Sequence, residues 1–197
     1  MNTIKIENKL EYIIKKSKFI CFCIPVTCVD DVDKNLNKIR KEYSDATHVV
    51  YAYTLFSPSV EKASDDGEPS GTAGKPVLDC IKRLGLVNIL VVVVRYFGGI
   101  KLGAGGLTRA YANVVKDTIS TMQICQLSYY LAINLSIKLD NAYYIANNPD
   151  IEIVSTDYHD IASKIVKYNL LVKENEEILA KLENLAKDMK IVDRKLM

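Results

Sequence analysis

The spacing of hydrophobic positions changes several times in the first part of the chain, and each change predicts an element. Apolar and polar residues alternate over 10–14 and 19–26, which predicts two strands joined by a turn at 15–18. Apolar residues then recur at helical spacing over 32–43, and Thr27 or Asp30 could cap that helix. The following apolar stretch, residues 48–55, predicts a third strand.

The middle of the chain predicts two loops that each lead into a helix. Residues 57–73 are rich in Ser, Pro, Gly, Asp and Glu, which is typical of a long loop. A helix should begin at Lys75-Pro76 and stop at Gly85, because proline suits the first helical position and glycine the end. Residues 88–95 are uniformly aliphatic, which predicts a central strand buried on both faces. A glycine-rich loop over 97–106 then leads into an amphipathic helix.

The last part of the chain predicts a second domain. Its patterns follow the order strand, helix, strand, strand, helix, strand, which is typical of a ferredoxin-like split βαβ unit. The six predicted elements are residues 127–139, 140–147, 151–156, 161–172, 174–189 and 190–195. We therefore predict an α+β protein with one domain at 1–127 and a ferredoxin-like domain at 128–197.

Composition excludes several classes of protein. Hydrophobic residues make up 49 % and charged residues 25 % of the chain, values ordinary for a globular protein. The longest aliphatic run is too short to span a bilayer, and the first residues do not read as a secretory signal. The 5 cysteines contain no C-x-x-C pair, so we expect reduced thiols and no disulfide-linked partner. These features predict a soluble, cytoplasmic protein with no membrane partner.

Positive charge is concentrated in one stretch of the chain. The formal net charge is only +2, but residues 75–116 carry seven basic side chains against a single acidic one, Asp79. Such a concentration attracts phosphate if it lies on one surface, whereas solvated helix faces are the plainer explanation.

The first candidate site is the segment 65–76. Glycines, a hydroxyl and a lysine stand where a helix begins, and free backbone amides at such a position can bind an anion. The spacing is not that of a Walker A loop, and a simple capped helix is the alternative. The candidate anion-binding residues are Gly71, Thr72, Gly74 and Lys75.

Three carboxylates in the same segment allow a different chemistry. Asp65, Asp66 and Glu68 could hold Mg²⁺, although turn hydrogen bonds are the commoner use of such a cluster. His48 is interpreted as a structural hydrogen-bonding group rather than a general base. We predict no other metal site and no cofactor.

The second candidate site is the segment 95–111, where a strand, a glycine loop and a helix follow one another. The glycine spacing does not fit the dinucleotide fingerprint. Basic groups beside aromatic rings suit a nucleic-acid backbone and unstacked bases, although the aromatics could instead pack over the glycines. The candidate residues are Arg95, Tyr96, Phe97, Gly98, Gly99, Lys101, Gly103, Gly105, Gly106 and Arg109.

These segments resemble the signature of the YigZ/IMPACT family. The resemblance covers most of residues 10–125, and its specific parts are Asp65-Asp66-Gly67-Glu68-Pro69, Gly71-Thr72-Ala73-Gly74 and the long motif 92–111. It implies a first domain like the second domain of the fifth small-subunit ribosomal protein. It also implies a second domain like the distal domains of elongation factor G. The eukaryotic relatives regulate translation by competing for the activator of an amino-acid-starvation kinase.

Residues and resemblance together favour a translation-associated binding protein over an enzyme. The expected partner is RNA or a ribosome-associated protein, contacted through a basic, glycine-rich surface. One alternative is a Mg²⁺-assisted phosphate-transforming enzyme that uses Asp65, Asp66 and Glu68, with Lys75 and Arg95 stabilising developing charge. Another is a protein-interaction module in which the glycines only shape the fold.

Overall fold

The computed structural model describes residues 1–158 and 163–196 and divides into two compact units. The first unit comprises Met1–Gln126 and the second Leu127–Met197. Both units are mixtures of helices and antiparallel strands, so the chain is a two-domain protein of mixed α and β structure. Among the described residues, no helix is both long and apolar enough to cross a bilayer.

A five-stranded antiparallel sheet forms the centre of the first unit. Its strands lie side by side in the order β2-β3-β6-β4-β5. The central strand β6 is the aliphatic segment, and it is buried because helices cover both faces of the sheet. The strands are β2 (Asn8–Ile14), β3 (Ser17–Pro25), β4 (His48–Leu55), β5 (Val60–Ser64) and β6 (Ile89–Tyr96). Two short strands, β1 (Asn2–Ile4) and β7 (Ile124–Gln126), pair with each other beside it.

Three helices build two hydrophobic cores around this sheet. Helix α1 (Val29–Glu42) buries Val32, Leu36 and Ile39 against one face. Helices α2 (Gly74–Arg83) and α3 (Ala104–Ser120) cover the other face. The strands β5 and β6 both run antiparallel to β4, so they end at the same edge of the sheet. Helices α2 and α3, which follow them, therefore begin at that same edge.

The second unit is a four-stranded antiparallel sheet with its own core. Its strands lie in the order β11-β8-β10-β9, and the buried side chains of β8 and β10 pack with Ile145, Ile178 and Leu182 of the helices. The elements are β8 (Tyr129–Lys138), a short 3-10 helix (Leu139–Asn141), α4 (Ala142–Ala146), β9 (Ile151–Asp157), β10 (Ile165–Lys173), α5 (Glu176–Leu185) and β11 (Ala186–Leu196). The helical and strand order is thus βαββαβ; its ferredoxin-like classification stays a prediction.

The structure corrects several predicted boundaries. The predicted loop 57–73 contains strand β5, whose Glu61 and Lys62 hid the strand pattern. Helix α3 begins at Ala104, so its first turn includes two glycines that the sequence had placed in the loop. The predicted helix 174–189 ends at Leu185, because the residues that follow pair with β8. The strand predicted from 161 is described only from Ile165, and residues 161–162 lie outside the described residues.

Candidate functional site

The two glycine-containing segments meet at a buried polar cluster. Glu68, from the loop before α2, accepts a hydrogen bond from Arg95 Nη1 at 2.6 Å and another from Tyr111 Oη at 2.8 Å. Glu68 and Arg95 have side chains only 3 % and 5 % exposed. Burial and then the adjacent Glu68 carboxylate raise the pKa of Tyr111 far above its usual range, so its hydroxyl keeps the proton that it donates.

Arg95 is therefore an interior side chain and not part of an exposed basic surface. Its Nη2 donates to Ser17 Oγ at 3.3 Å, and its guanidinium carbon lies 5.4 Å from the ring centre of Phe19 and 5.7 Å from that of Phe97. Its Nε is buried, and none of the residues that the structure describes forms a hydrogen bond with it. The sequence analysis expected Arg95 to contact phosphate. The structure corrects this expectation, because the Arg95 side chain is buried and Glu68 neutralises its charge.

His48 lies at the edge of the same cluster. Its Nδ1 is 2.8 Å from the carbonyl oxygen of Asp66, which accepts a hydrogen bond from this ring nitrogen. Its Nε2 is 3.8 Å from Glu68 Oε2. The interpretation of His48 as a structural hydrogen-bonding group agrees with this geometry.

The amides of Ala73 and Gly74, at the start of α2, are already hydrogen-bonded within the chain. Asp65 accepts from the amides of Gly71, Ala73 and Gly74 at 2.8–3.0 Å. Burial opposes ionisation of Asp65, but these three hydrogen bonds outweigh it and lower its pKa. The hydroxyl of Thr72 in this segment is buried and donates to the carbonyl oxygen of Pro69. The start of α2, where the sequence suggested an anion site, is thus capped by the Asp65 carboxylate of the preceding loop. A capped helix was the alternative interpretation of this segment.

The proposed Mg²⁺ ligands do not form a metal site. Asp65 caps α2, whereas Asp66 accepts from the Val49 amide at 2.7 Å and from Arg40 at 3.3 Å. Glu68 is held by Arg95 in the interior. Over residues 1–158 and 163–196, no group of three His, Cys, Asp or Glu side chains is arranged to hold a metal ion. The three carboxylates that the phosphate-transforming alternative requires are thus engaged in separate contacts within the chain.

Two glycines are needed because backbone packs directly against them. A side chain on Gly98 would collide with the backbone of Lys16 and Ser17, and one on Gly74 would lie 2.7 Å from the backbone of Ser64. Gly98 also donates its amide to Ser17 Oγ at 3.2 Å. These contacts fix the glycine loop against the β2–β3 turn, whose residues Lys15 and Lys16 both have positive φ, as in type I′ hairpins.

The aromatic residues of the long motif differ in their exposure. Tyr96 donates to Asp45 at 2.8 Å, and this hydrogen bond raises the pKa of Tyr96 to about 12. Phe97 is 46 % exposed, and its amide donates to Thr47 Oγ1. Phe97 is therefore half-exposed beside the loop, whereas the hydroxyl of Tyr96 is hydrogen-bonded to Asp45.

The start of α3 differs from the start of α2 because no carboxylate caps it. Its first turn contains no acidic residue, and its N-cap, Gly103, has φ +72° and no side chain to cap with. Within the described part of the chain, no hydrogen bond reaches the amides of Ala104, Gly105 and Gly106. The positive end of a 17-residue helix thus faces outward.

Exposed basic side chains lie on the chain segments next to this helix start. Lys101 and Arg109 flank the glycines of its first turn, and a Cβ on Gly105 would lie 3.7 Å from Arg109 Nη1. Lys15 and Lys16 are exposed on the turn that packs against Gly98. No ion pair to these four side chains is formed by residues 1–158 and 163–196. We call Lys15, Lys16, Lys101, Gly103, Gly105, Gly106 and Arg109 the α3 basic surface. Lys75 is exposed at the start of α2, at the same edge of the sheet.

Sequence reasoning missed the buried partners in this region. Tyr111 belongs to the long motif 92–111 and Ser17 to the predicted turn 15–18, but nothing in their spacing placed them against Arg95. The presence of charged residues inside otherwise apolar motifs could have indicated such partners. A charge in a buried strand requires a hydrogen-bonding or oppositely charged partner.

Comparison with known proteins agrees with the motifs. The Impact N-terminal domain model matches residues 15–119, more than half of the chain. YigZ of Escherichia coli is 33 % identical over 180 residues, which cover 88 % of this chain and 87 % of that protein. The chain belongs to the IMPACT family. IMPACT family member YvyE of Bacillus subtilis is 42 % identical over 125 residues, 63 % of this chain and 58 % of that relative's length.

A solved structure extends the IMPACT family likeness to both units. It was described only as that of a hypothetical protein, and it matches with a TM-score of 0.62 and 29 % sequence identity. The match covers 98 % of this chain and 97 % of that one. The two-unit architecture is therefore shared with an experimentally determined relative.

Proposed function

We propose that this IMPACT family chain is a translation-associated protein that binds RNA phosphates through the α3 basic surface. The observation that carries the proposal is the uncapped, glycine-rich start of α3, with exposed Lys101 and Arg109 beside it. Backbone amides at such a helix end accept phosphate oxygens, and the helix dipole favours negative charge there. The translational role is what the family resemblance implies.

The buried cluster of Glu68, Arg95 and Tyr111 holds the α3 basic surface in place. Tyr111 lies two turns into α3 and donates to Glu68, while Glu68 pairs with Arg95 at the end of β6. These bonds tie both ends of the glycine loop to the sheet, so the loop and the helix start are held in one geometry. Arg95 thereby acts as a positioning residue, and Lys101 and Arg109 are the groups proposed to meet phosphate.

Phe97 offers a second kind of contact. Its ring is 46 % exposed at the beginning of the glycine loop. An unstacked base can stack on an exposed aromatic ring, which contributes about 1–3 kcal/mol per base. The proposal therefore favours single-stranded RNA over duplex RNA.

RNA titration with charge variants tests the proposal. Removing Lys101 and Arg109 together should weaken binding of a single-stranded RNA and lower the salt dependence, log Kd against log salt, by about 0.7 per lost phosphate contact. The matched control removes the same charge at Lys34 and Lys116, which lie on α1 and late in α3. Equal loss of binding in both double variants would show that only net charge matters and would contradict the proposal.

A protein-interaction module remains the second candidate, and a specific observation favours it. Gly74 and Gly98 are explained by backbone packing alone, and the α2 amides are satisfied by Asp65. If the glycine motifs only shape the fold, a partner protein should still be retained by the Lys101→Ala/Arg109→Ala variant in a pull-down. Loss of every protein partner together with RNA would exclude this second candidate.

A further inference from the structure

A cavity of about 430 Å³ lies between helix α1 and strand β2, away from the α3 basic surface. Helix α1 packs over the middle of the sheet and leaves the outer strand β2 uncovered on this face. Lys9 of β2 is the register partner of Phe22 on β3, and both residues line the opening. The volume falls within the range of about 300–1,000 Å³ that small-molecule sites occupy.

The floor of this cavity is apolar. Phe22, Ile24 and Ile39 line it, and Phe22 is only partly covered, by an edge-on contact with Tyr43 at 5.6 Å between ring centres. The partly exposed Phe22 ring can accept an aliphatic or aromatic side chain of a ligand.

The walls carry both signs of charge. Lys9 Nζ donates to Tyr43 Oη at 2.9 Å and lies 5.5 Å from the ring centres of Phe22 and Tyr43. It also lies 3.8 Å from Glu11 Oε1, which does not line the cavity. On the α1 side stand Lys38 and Glu42, and neither forms an ion pair with any residue in the described ranges 1–158 and 163–196. A cation and an anion thus face one small apolar space with spare hydrogen-bonding capacity.

We propose that this cavity binds a small zwitterion with an apolar side chain, of the size of an amino acid or dipeptide. The ligand carboxylate would meet Lys9 and Lys38, the ligand ammonium would meet Glu42, and the side chain would rest on Phe22. A nucleotide fits less well because Glu7 and Glu42 repel its phosphates, and a simple cation fits less well because of the two lysines. This inference is independent of the proposed RNA binding.

The direct test is a heteronuclear NMR titration of the full chain with L-leucine and L-leucyl-L-leucine. Amide resonances of Lys9, Phe22 and Lys38 should shift with at least one of them and saturate by about 10 mM, the range of weak small-ligand binding. N-acetyl-L-leucine and L-leucinamide each lack one charge and should bind about tenfold more weakly than L-leucine. Equal affinity for L-leucine, N-acetyl-L-leucine and L-leucinamide would overturn the proposal. The absence of a saturable shift with both L-leucine and L-leucyl-L-leucine would also overturn it.

Variants show whether the shifts report this cavity. Lys38→Ala and Glu42→Gln should each weaken the zwitterion about tenfold, because each removes one charge-assisted hydrogen bond. Lys34→Ala is the matched control, since Lys34 lies on the same helix but does not line the cavity. Unchanged affinity in both Lys38→Ala and Glu42→Gln would contradict the assignment even if a ligand binds elsewhere.

Discussion

The pair formed by Glu68 and Arg95 is the most consequential contact at the scale of single residues. Two charged side chains are removed from water at the junction of the two glycine-containing segments. Desolvating them is costly, and their mutual hydrogen bond, together with those from Tyr111 and to Ser17, offsets that cost. The pair therefore holds the two glycine-containing segments in a fixed relative position, and neither charge is exposed to a ligand.

Removing one member of the Glu68–Arg95 pair should strongly destabilise the fold. Glu68→Ala leaves the Arg95 guanidinium buried without its carboxylate, so the free energy of unfolding should fall by about 3–5 kcal/mol. Chemical denaturation measures this loss. Glu61→Ala is the matched control because Glu61 pairs with Lys82 at 2.8 Å on the surface, where a loss of about 0–1 kcal/mol is usual. Equal losses in the two variants would show that the buried pair contributes nothing special.

Two glycines of the long motif should respond in opposite ways to alanine. Gly98→Ala should destabilise the chain by more than about 1 kcal/mol, because the new Cβ overlaps the Lys16 backbone. Gly105→Ala should stabilise it by about 0.5–1 kcal/mol, since Gly105 lies in helix α3 and its nearest neighbour is the flexible Arg109 side chain at 3.7 Å. Thermal unfolding of the two variants distinguishes them. A neutral Gly98→Ala would mean that the loop does not pack as described.

Residue-level prediction from sequence was limited by strand register. The sequence identified Arg95 and Glu68 as notable charges, but it gave them exposed roles. Register places Arg95 opposite both Phe19 and His48, and the fold then brings Glu68 over it. Pairing across three strands from distant parts of the chain has no local signature, which is why a buried ion pair was read as a basic surface.

At the scale of elements, two similar helix starts have different chemistry. Both α2 and α3 follow a strand through a glycine-rich loop and begin at the same edge of the sheet. Neither helix has an acidic residue in its first turn, but Asp65 from the preceding loop accepts the Ala73 and Gly74 amides at the start of α2. The described residues provide no such carboxylate at the start of α3. This difference is the reason why we place the proposed phosphate contact at α3 and not at α2.

The cap on α2 should give a defined pH dependence. The folded-state pKa of Asp65 lies below its unfolded value, so its ionised form stabilises the fold above that unfolded value, about 3.9, and the contribution disappears as pH falls through the folded pKa. Asp65→Asn should therefore be less stable than the natural chain by about 1 kcal/mol near neutral pH. Urea unfolding at a series of pH values measures the difference.

The Asp65→Asn difference should begin to shrink as the pH falls below about 4, the unfolded pKa, and should disappear as the pH passes through the lower folded pKa, where the natural Asp65 also loses its charge. Asp33→Asn on the outer face of α1 serves as the control, because no hydrogen bond or ion pair of the described residues involves the Asp33 side chain. A difference that stays constant between neutral and acidic pH would contradict a charge-dependent cap.

Elements with a strong period were predicted well, and elements decided by pairing were not. The predicted bounds of β4 are those observed, and the strand at β6 is shifted by one residue. Strand β5 and the beginning of β11 were missed because their sequences are charged and they form by pairing with β4 and β8. Tertiary hydrogen bonding there overrides local preference.

At the scale of the whole molecule, the chain has separate hydrophobic cores in its two units. The first unit packs helices on both faces of its sheet, and the second unit buries one face of its own sheet under α4 and α5. Each unit therefore has the apolar interior that local cooperativity requires.

Core substitutions should weaken the two units separately. Leu135→Ala removes a side chain buried in the second unit and should cost about 2–5 kcal/mol. Hydrogen exchange should then lose protection in β8 and β10 while β6 keeps its protection. Val93→Ala, in the buried strand β6, should produce the reverse pattern. Loss of protection in both units from either substitution would show a single cooperative core instead.

The most direct test of the central claim is an NMR titration of the full chain with a single-stranded RNA. The account predicts that the amide resonances of Gly103, Gly105 and Gly106 shift as RNA is added. The amide resonances of Gly71 and Gly74 should stay in place, because Asp65 already holds them. Shifts at Gly71 and Gly74 with none at the start of α3, or no saturable shift at either, would contradict RNA binding at the α3 basic surface.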